Sequence, residues 1–464
     1  MTHSVNAAAR LDRLPMGSFH RRVLQLVGLG MFFDGFDNSM GAGVLAALVK
    51  NHWSTIAMNA HFISATFVGL SIGAVLSGFL GDRFGRRFAY QFNLLIFGVS
   101  CVLSSLATSM DQLIILRGIM GIGIGAEYVV GYSTVSEFMP PKRRGRALAI
   151  VGLLSMSGGF AVYLVSTQII PHFGWRPMYI IGGAGALWVW YMRRKLPESP
   201  RWLEKMGRTA EAERVLAEIE REASQGGAVL APVPPALPQP ARWVPVGVLF
   251  APAARRRTML ALLVNLGCMV GSYSFISWIP SFFVQQGFTV KDALTFSTIM
   301  TFGNIVGPTI GIIIADRLGR RRGLIYAAVW CAVAGLAYAL QTNIYAVVAC
   351  GFLLITGITL AMALGVGGYT PELFPTEYRF RGNGVAQMVG RIGVILSPYL
   401  VVKLFHTYGT GAVMIFIAAL YVTMALCLTL FGIETNQRSL EAVAPEPESA
   451  TSGMAIQKNQ PSLS

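Results

Sequence analysis

The chain has 464 residues, of which 54% are hydrophobic and 13% charged, with a mean hydropathy of +0.56. One soluble core cannot take up so many long apolar runs, so a soluble globular fold is excluded. The net charge of +15 does not point to nucleic acid either, because the basic residues punctuate apolar runs instead of forming one basic face with interleaved aromatics.

Residues 1–22 read as a short polar, basic arm. Twelve apolar runs follow, at 23–49, 60–80, 88–108, 112–136, 147–170, 176–195, 258–284, 293–315, 323–341, 344–369, 382–403 and 411–432. Each is long enough to cross about 30 Å of hydrocarbon as a helix. Backbone amides in lipid must bond internally, and these runs lack the two-residue alternation of a barrel, so the expected fold is all-α. The expected organisation is an N-terminal six-helix bundle at 23–195, a central hydrophilic loop at 196–257, a C-terminal six-helix bundle at 258–432 and a polar, disordered tail at 433–464.

The central loop opens with Pro197-Glu198-Ser199-Pro200-Arg201-Trp202-Leu203, whose Trp suits a bilayer interface. Residues 207–223 predict an amphipathic helix lying on the membrane or on the bundle. The stretch 231–240 reads as an extended proline-rich linker. Arg255-Arg256-Arg257 anchors the seventh run. If the N-terminus is cytoplasmic, only Lys50, Arg176, Lys291 and Lys403 fall in or beside outward loops, and Arg117 and Arg391 fall inside runs. The rest of the 37 basic residues then lie inward, which places both termini in the cytoplasm. The five cysteines all fall within runs and read as small apolar packing residues. No cleavable signal is apparent, because the first run is too long for a signal-peptide core.

A basic cassette occurs twice. Gly81-Asp82-Arg83-Phe84-Gly85-Arg86-Arg87 ends the second run, and Ala315-Asp316-Arg317-Leu318-Gly319-Arg320-Arg321 ends the eighth. Glu137-Phe138-Met139-Pro140 with Arg144 and Arg146 is echoed at nearly the same offset by Glu372-Leu373-Phe374-Pro375 with Arg379 and Arg381. Two marks recurring at one offset mean two related halves. We expect a cytoplasmic gate here: Asp82 and Asp316 meeting the positive ends of neighbouring helices, and the arginines (Arg83, Arg86, Arg144, Arg317, Arg320, Arg379) meeting Glu137 and Glu372 around the turn at Gly85. These contacts would break when that side opens. The plainer reading is topology anchoring by basic residues.

These residues resemble the major facilitator superfamily. Gly78-Phe79-Leu80-Gly81-Asp82-Arg83-Phe84-Gly85-Arg86-Arg87 is similar to its loop between spans two and three, and Arg117-Gly118-x-x-Gly121-x-Gly123-x-Gly125 to its fourth-span motif. The Pro-Glu-Ser-Pro-Arg-Trp-Leu strip, Pro371-Glu372-Leu373-Phe374-Pro375-Thr376-Glu377 and Ile433-Glu434-Thr435 resemble the branch of sugar porters and organic-acid symporters. The resemblance implies two six-helix bundles around a central cavity alternately open to each side. Asp34-Gly35-Phe36-Asp37 looks like the motif of aromatic-acid/proton symporters, which also carry arginines where Arg117 and Arg391 stand. Sugar porters place glutamines in spans five and seven, whereas this chain has Gly152 and Asn265-Leu266-Gly267-Cys268-Met269 there. Gly125-Ala126-Glu127-Tyr128 looks closer to nicotinate-type and other metabolite carriers.

Five titratable groups fall well inside the runs: Asp34, Asp37, Arg117, Glu127 and Arg391. Each costs about 2.5–3.5 kcal/mol at a helix centre, so each needs a partner or water. Counting about 1.5 Å per residue puts Asp37 roughly 22 Å above the cytoplasmic edge and Arg117 roughly 9 Å below the outer edge, a similar depth that brings the two within reach. Asp34 or Asp37 is the candidate proton-coupling carboxylate, with Arg117 as counter-charge. The alternative is that the aspartates satisfy backbone groups freed at a kink at Gly35. Glu127 is either a second proton site or an acid held between helices. Arg391, near the midplane, is the candidate carboxylate fork, against a structural-pair alternative. Arg117, Tyr128, Tyr132, Tyr273, Phe275 and Trp278 are candidate lining residues, although aromatics at helical spacing also pack or sit at interfaces.

The expected function is secondary active transport: proton-coupled uptake of a small organic anion such as an aromatic carboxylate, by a monomer in the bacterial inner membrane. The alternatives are a carrier or exporter of sugars, polyols or nicotinate-like metabolites, and a non-transporting nutrient sensor. The expected partners are the substrate, protons and the lipid bilayer. No cofactor, metal site or enzymatic constellation is expected.

Overall fold

The computed structural model describes residues 5–225, 230, 232–233, 246–374 and 379–434. Most of the stretch 231–240 and the tail beyond 434 lie outside the described residues. Within them every regular element is helical. The first six crossings are Ser18–Lys50, Ile56–Phe84, Arg86–Ser104, Met110–Phe138, Pro141–Phe173 and Arg176–Arg193. The seventh is Pro252–Ile276 continued by Ile279–Gln285, and the eighth is Val290–Thr301 continued by Gly303–Leu318. The ninth is Arg320–Leu340. The tenth, Ile344–Met362, ends in a π-helical stretch, Ala363–Tyr369, and a short turn, Thr370–Glu372. The last two lie in Arg379–Phe431, broken at Gly409. These limits run several residues past many of the apolar runs, because polar caps extend a helix beyond its hydrocarbon-crossing part.

The connections are short. On the side away from the termini, Thr55, Ser109, Thr289 and Asn343 cap the helices that follow, each accepting a backbone amide at 2.9–3.3 Å. On the side of the termini, the turns after the second and eighth spans are single glycines, Gly85 (φ 97°) and Gly319 (φ 81°), in the left-handed region that an L side chain resists. The seventh span breaks at Ser277–Trp278, where Pro280 opens the next helix and supplies no amide to the one before.

Small residues set the packing of the first half. A methyl added at Gly73 would lie 2.0 Å from the Ile122 carbonyl oxygen, and one at Gly125 would lie 2.1 Å from that of Leu70. The second and fourth spans therefore touch backbone to backbone. Gly35 and Gly158 do the same between the first and fifth spans, at 1.9 Å from the Ser155 and Phe32 oxygens. Lipid tails offer no hydrophobic drive between helices, so close van der Waals approach carries the association. Large apolar side chains such as Val75, Leu106 and Leu340 stay exposed, as a lipid-facing rim requires.

The two halves meet away from the termini. Ser64 donates to the Ile395 carbonyl at 2.8 Å, His61 pairs with the Tyr399 hydroxyl at 3.2 Å, and Tyr163 donates to the Ile276 carbonyl at 3.4 Å. Phe67 stands edge-on to Tyr273 and Phe160 packs on Phe302.

The N-terminal arm is not a free polar segment. Ala7–Asp12 is a helix whose buried Ala7 and Leu11 pack, with Leu14, against Trp202, Leu203, Leu216 and Ile219 of the central loop. The amphipathic helix Thr209–Gln225 rests on this arm and on the first span. Arg10 and Arg13 both bond Glu220, and Glu204 accepts the Asn6 and Ala7 amides. Trp202 is buried and its ring borders Gly85, so it is a packing residue and not an interfacial anchor.

Two outcomes follow. Gly73→Ala should cost about 1–3 kcal/mol through overpacking and lower the thermal midpoint in detergent, whereas Gly411→Ala, which meets nothing within 4 Å, should not. Glu220 is held below its ordinary carboxylate pKa: burial raises it, but the bonds from Arg10 and Arg13 outweigh that. A carboxylate depressed in the folded state stabilises above its unfolded pKa, and this is lost as pH falls through the folded value. The protection of residues 7–14 against hydrogen exchange, taken relative to the intrinsic rate at each pH, should therefore be full at neutral pH and fall below about pH 4.5.

Candidate functional site

The cassettes have a specific local geometry. Arg86 bonds Glu137 at 3.0 Å and Arg320 bonds Glu372 at 3.2 Å, each tying the start of one span to the end of the next within its own half. Glu198 accepts the Arg86 amide at 2.8 Å and the Arg87 amide at 3.1 Å, which caps the third span. Burial raises the Glu198 pKa, against the lowering effect of these amide bonds and of Arg86. In the second half Glu434 takes the equivalent place at the Arg321 amide, at 3.4 Å. Arg87 and Arg321 bond backbone carbonyls at the ends of the sixth and twelfth spans.

The gate expectation is altered in detail. Arg144 bonds Asp12 of the arm (3.2 Å) and the Met139 carbonyl, not Glu137. Arg83 is exposed over the Phe84 ring. The Arg86–Glu137 and Arg320–Glu372 pairs do not cross between the halves, and they stand while the halves meet at the opposite side, so separating the halves does not require breaking them. The side chains of Asp82, Asp316, Arg317 and Arg379 lie outside those described.

The membrane-embedded charges form two layers. Asp37 and Arg117 are at most 1% exposed and pair at 2.5 Å. Arg117 also donates to the Asp37 carbonyl (3.0 Å) and to Thr66 Oγ1 (3.1 Å), with its guanidinium 5.2 Å from the centre of the Phe62 ring. The residues read as similar in depth are in contact. Closer to the termini, Glu127 is held by Arg193, one of the basic residues that the charge pattern assigns to the inward side. Arg193 lies under the first span, where it donates to the carbonyls of Leu26 and Val27, both at 3.0 Å. Gly30 makes the room: a methyl there would sit 2.0 Å from Arg193 Nη2.

Asp34 lies in the same span as Asp37 and is 0% exposed, and neither carboxyl oxygen has a hydrogen-bond partner among the described residues. Its electrostatic neighbours are Glu127, Arg193 and Asp37. Arg391 is half-buried with no hydrogen bond or ion pair among the described residues, and its electrostatic neighbours are Tyr273 and Tyr128. Tyr128 bonds Ser155 at 3.3 Å. A narrow cavity of about 20 Å³, room for about one water molecule, is bordered by Asn38, Thr66, Arg117, Tyr273 and Ser277. Trp278 and Phe275 stand apart from this group. Trp278 is 1% exposed and stacks on Phe282, which stacks on Phe405, while Phe275 packs edge-on to Tyr338, so both are core residues. Among the described residues no His/Cys/Asp/Glu group could hold a metal ion.

Breaking a buried pair strands a charge, at a cost of about 3–5 kcal/mol. Arg193→Gln alone should therefore lower the thermal midpoint more than the double variant Arg193→Gln/Glu127→Gln. Asp34→Asn strands no partner and should leave the midpoint within a few degrees of the parent.

The model of the family "Sugar (and other) transporter" matches residues 30–446. Over 442 residues the chain is 35% identical to the inner membrane metabolite transport protein YdjE of Escherichia coli, covering 94% of this chain and 98% of that one. It is 31% identical to the niacin transporter NiaP of Acinetobacter baylyi, covering 95% and 100%. Among solved structures it is similar to a D-xylose-proton symporter (TM-score 0.71, 19% identity, covering 91% and 100%) and, equally, to the xylose transporter XylE of E. coli in a partially occluded inward open conformation (TM-score 0.71, 17% identity, covering 91% and 100%). The twelve-helix fold is that of the major facilitator superfamily, and the chain belongs to its sugar-porter-related branch: an integral membrane transporter, not an enzyme.

Proposed function

We propose that this transporter carries a small organic monoanion, an aromatic carboxylate such as nicotinate or benzoate, together with protons, by alternating access. The observation that carries the reading is Arg391. A guanidinium half-buried in the membrane without a counter-ion among the described residues, beside two tyrosines, is a site waiting for an anion. Its planar fork suits a carboxylate, and Tyr128 and Tyr273 offer ring faces and hydroxyls to an aromatic one. That a relative is named for niacin, an aromatic monocarboxylate, agrees with this.

Proton coupling belongs to the first half. Asp34 and Asp37 lie in one helix beside Arg117 and Arg193, and the structural neighbours include a proton symporter. The cytoplasm lies on the side of both termini, where the basic cassettes cluster. The contacts on the opposite side then make this the inward-facing arrangement, with the cargo between a first bundle at 23–195 and a second at 258–432. The second reading, a carrier of neutral sugars or polyols, is favoured by the family's description and by the xylose transporters of like fold.

Uptake into proteoliposomes, driven by an inward proton gradient and screened over nicotinate, benzoate, small aliphatic acids and sugars, separates the two. Carboxylate uptake is expected, and sugar uptake alone would overturn the anion reading. Arg391→Lys, which keeps the charge but loses the fork, should raise the apparent substrate constant about tenfold, equal to about 1.4 kcal/mol of binding. An unchanged constant would remove Arg391 from the site.

A further inference from the structure

The buried charges can be counted. Inside the first half the described residues bury three carboxyl groups, Asp34, Asp37 and Glu127, and two guanidiniums, Arg117 and Arg193, all at most 1% exposed. Each guanidinium bonds one carboxylate, which leaves Asp34 as the acid with no partner on either oxygen. The second half brings Arg391, which has no counter-ion among the described residues. Tyr128 lies within electrostatic reach of both Asp34 and Arg391. The unmatched acid and the unmatched cation therefore border the same tyrosine, on opposite halves of the molecule.

Uncompensated charge buried in hydrocarbon costs several kcal/mol. A state closed on both sides is accessible only when its buried charge is near zero. Two occupancies meet that condition. In the empty carrier, ionised Asp34 offsets Arg391. In the fully loaded carrier, Asp34 holds a proton and Arg391 holds a monoanion. A proton alone leaves one positive charge in excess, and an anion alone leaves one negative charge.

We infer that this balance is the coupling rule: each monoanion on Arg391 crosses with one proton on Asp34, and the cycle moves no net charge. The inference rests on the anion reading of Arg391. The proton joins a carboxylate oxygen of Asp34 from water on one side and leaves to water on the other, so no further reactant is consumed. The charged and titratable groups facing Asp34 are Asp37 on its own span, Glu127 and Tyr128 on the fourth and Arg193 on the sixth, while the fifth span presents Ser155. The two ion pairs are neutral as they stand, so the Asp34 proton is the one that changes the total.

The test uses the full chain in proteoliposomes, with an internal pH dye, nicotinate and benzoate as probes, and valinomycin with potassium gradients to set the potential. One proton per anion is expected, with accumulation rising about tenfold per pH unit of gradient and unaffected by potential. Moving one net charge would instead change accumulation about fiftyfold per 100 mV. Asp34→Asn fixes the neutral form of that residue, so net uptake should fall at least tenfold while anion–anion exchange falls less than threefold. Asp34→Glu should restore coupled uptake.

A potential-dependent accumulation, or concentrative uptake by Asp34→Asn at the parental level, overturns the coupling rule and leaves the anion site standing. Loss of exchange along with uptake in Asp34→Asn, in protein that elutes like the parent, overturns it too. If Asp34→Asn does not fold, the parental stoichiometry and potential dependence decide alone. Uptake of sugars but of neither carboxylate overturns the anion reading, and this inference with it.

Discussion

The cost of placing charge in hydrocarbon governs this molecule. A helix that crosses the bilayer satisfies its own backbone, but it can do nothing for an ionised side chain. Among the described residues, four of the five charged groups buried in the first half are accordingly answered by another helix, and Asp34 alone is not. The first and fourth spans are joined by Asp37 and Arg117, and the fourth and sixth by Glu127 and Arg193, whose guanidinium also bonds carbonyls of the first. The backbone contacts at Gly35, Gly73, Gly125 and Gly158 bring the helices close enough for those side chains to meet. Close packing and charge pairing are thus one design, in which glycines clear the space and ion pairs select the neighbours.

The repeat goes deeper than the cassettes that reveal it in the sequence. Arg86 with Glu137 matches Arg320 with Glu372, and Arg87 matches Arg321. Glu198 and Glu434 complete the set, each approaching the first amides of the third span of its half. The cassette is therefore a clamp that joins the third span of each half to the end of the fourth and to the strip that follows the sixth. It fastens each half internally, and this explains why it remains closed while the halves touch on the other side.

Much of the fold was legible because it rests on patterns of twenty residues: apolar length, basic punctuation and one repeated offset. The Asp37–Arg117 pair was legible from depth alone, since two helices of known direction place their residues by counting. Arg193 was not. In Tyr191-Met192-Arg193-Arg194-Lys195 it looks like one more cation anchoring a helix end, and only the helix phase turns it inward under Gly30. The available signal was Glu127, a buried acid without an identified partner. Trp278 and Phe275 misled for a related reason: an aromatic inside a span faces either a cavity or its neighbours, and helical spacing does not say which. The docking of the arm onto the central loop joins residues about 200 positions apart, beyond any local pattern.

The seam between the halves has a different chemical character from the interior of each. Among the described residues it consists of ring edges, a histidine–tyrosine contact and hydroxyl groups bonded to backbone carbonyls, with no ion pair across it. Parting such a surface exposes groups that water or another hydroxyl can satisfy at once, and it breaks no ion pair among the described residues. Its cohesion is short-ranged and indifferent to ionic strength. The strong bonds hold each half rigid and the weak ones hold the halves together, so the molecule is built to yield along the plane between them.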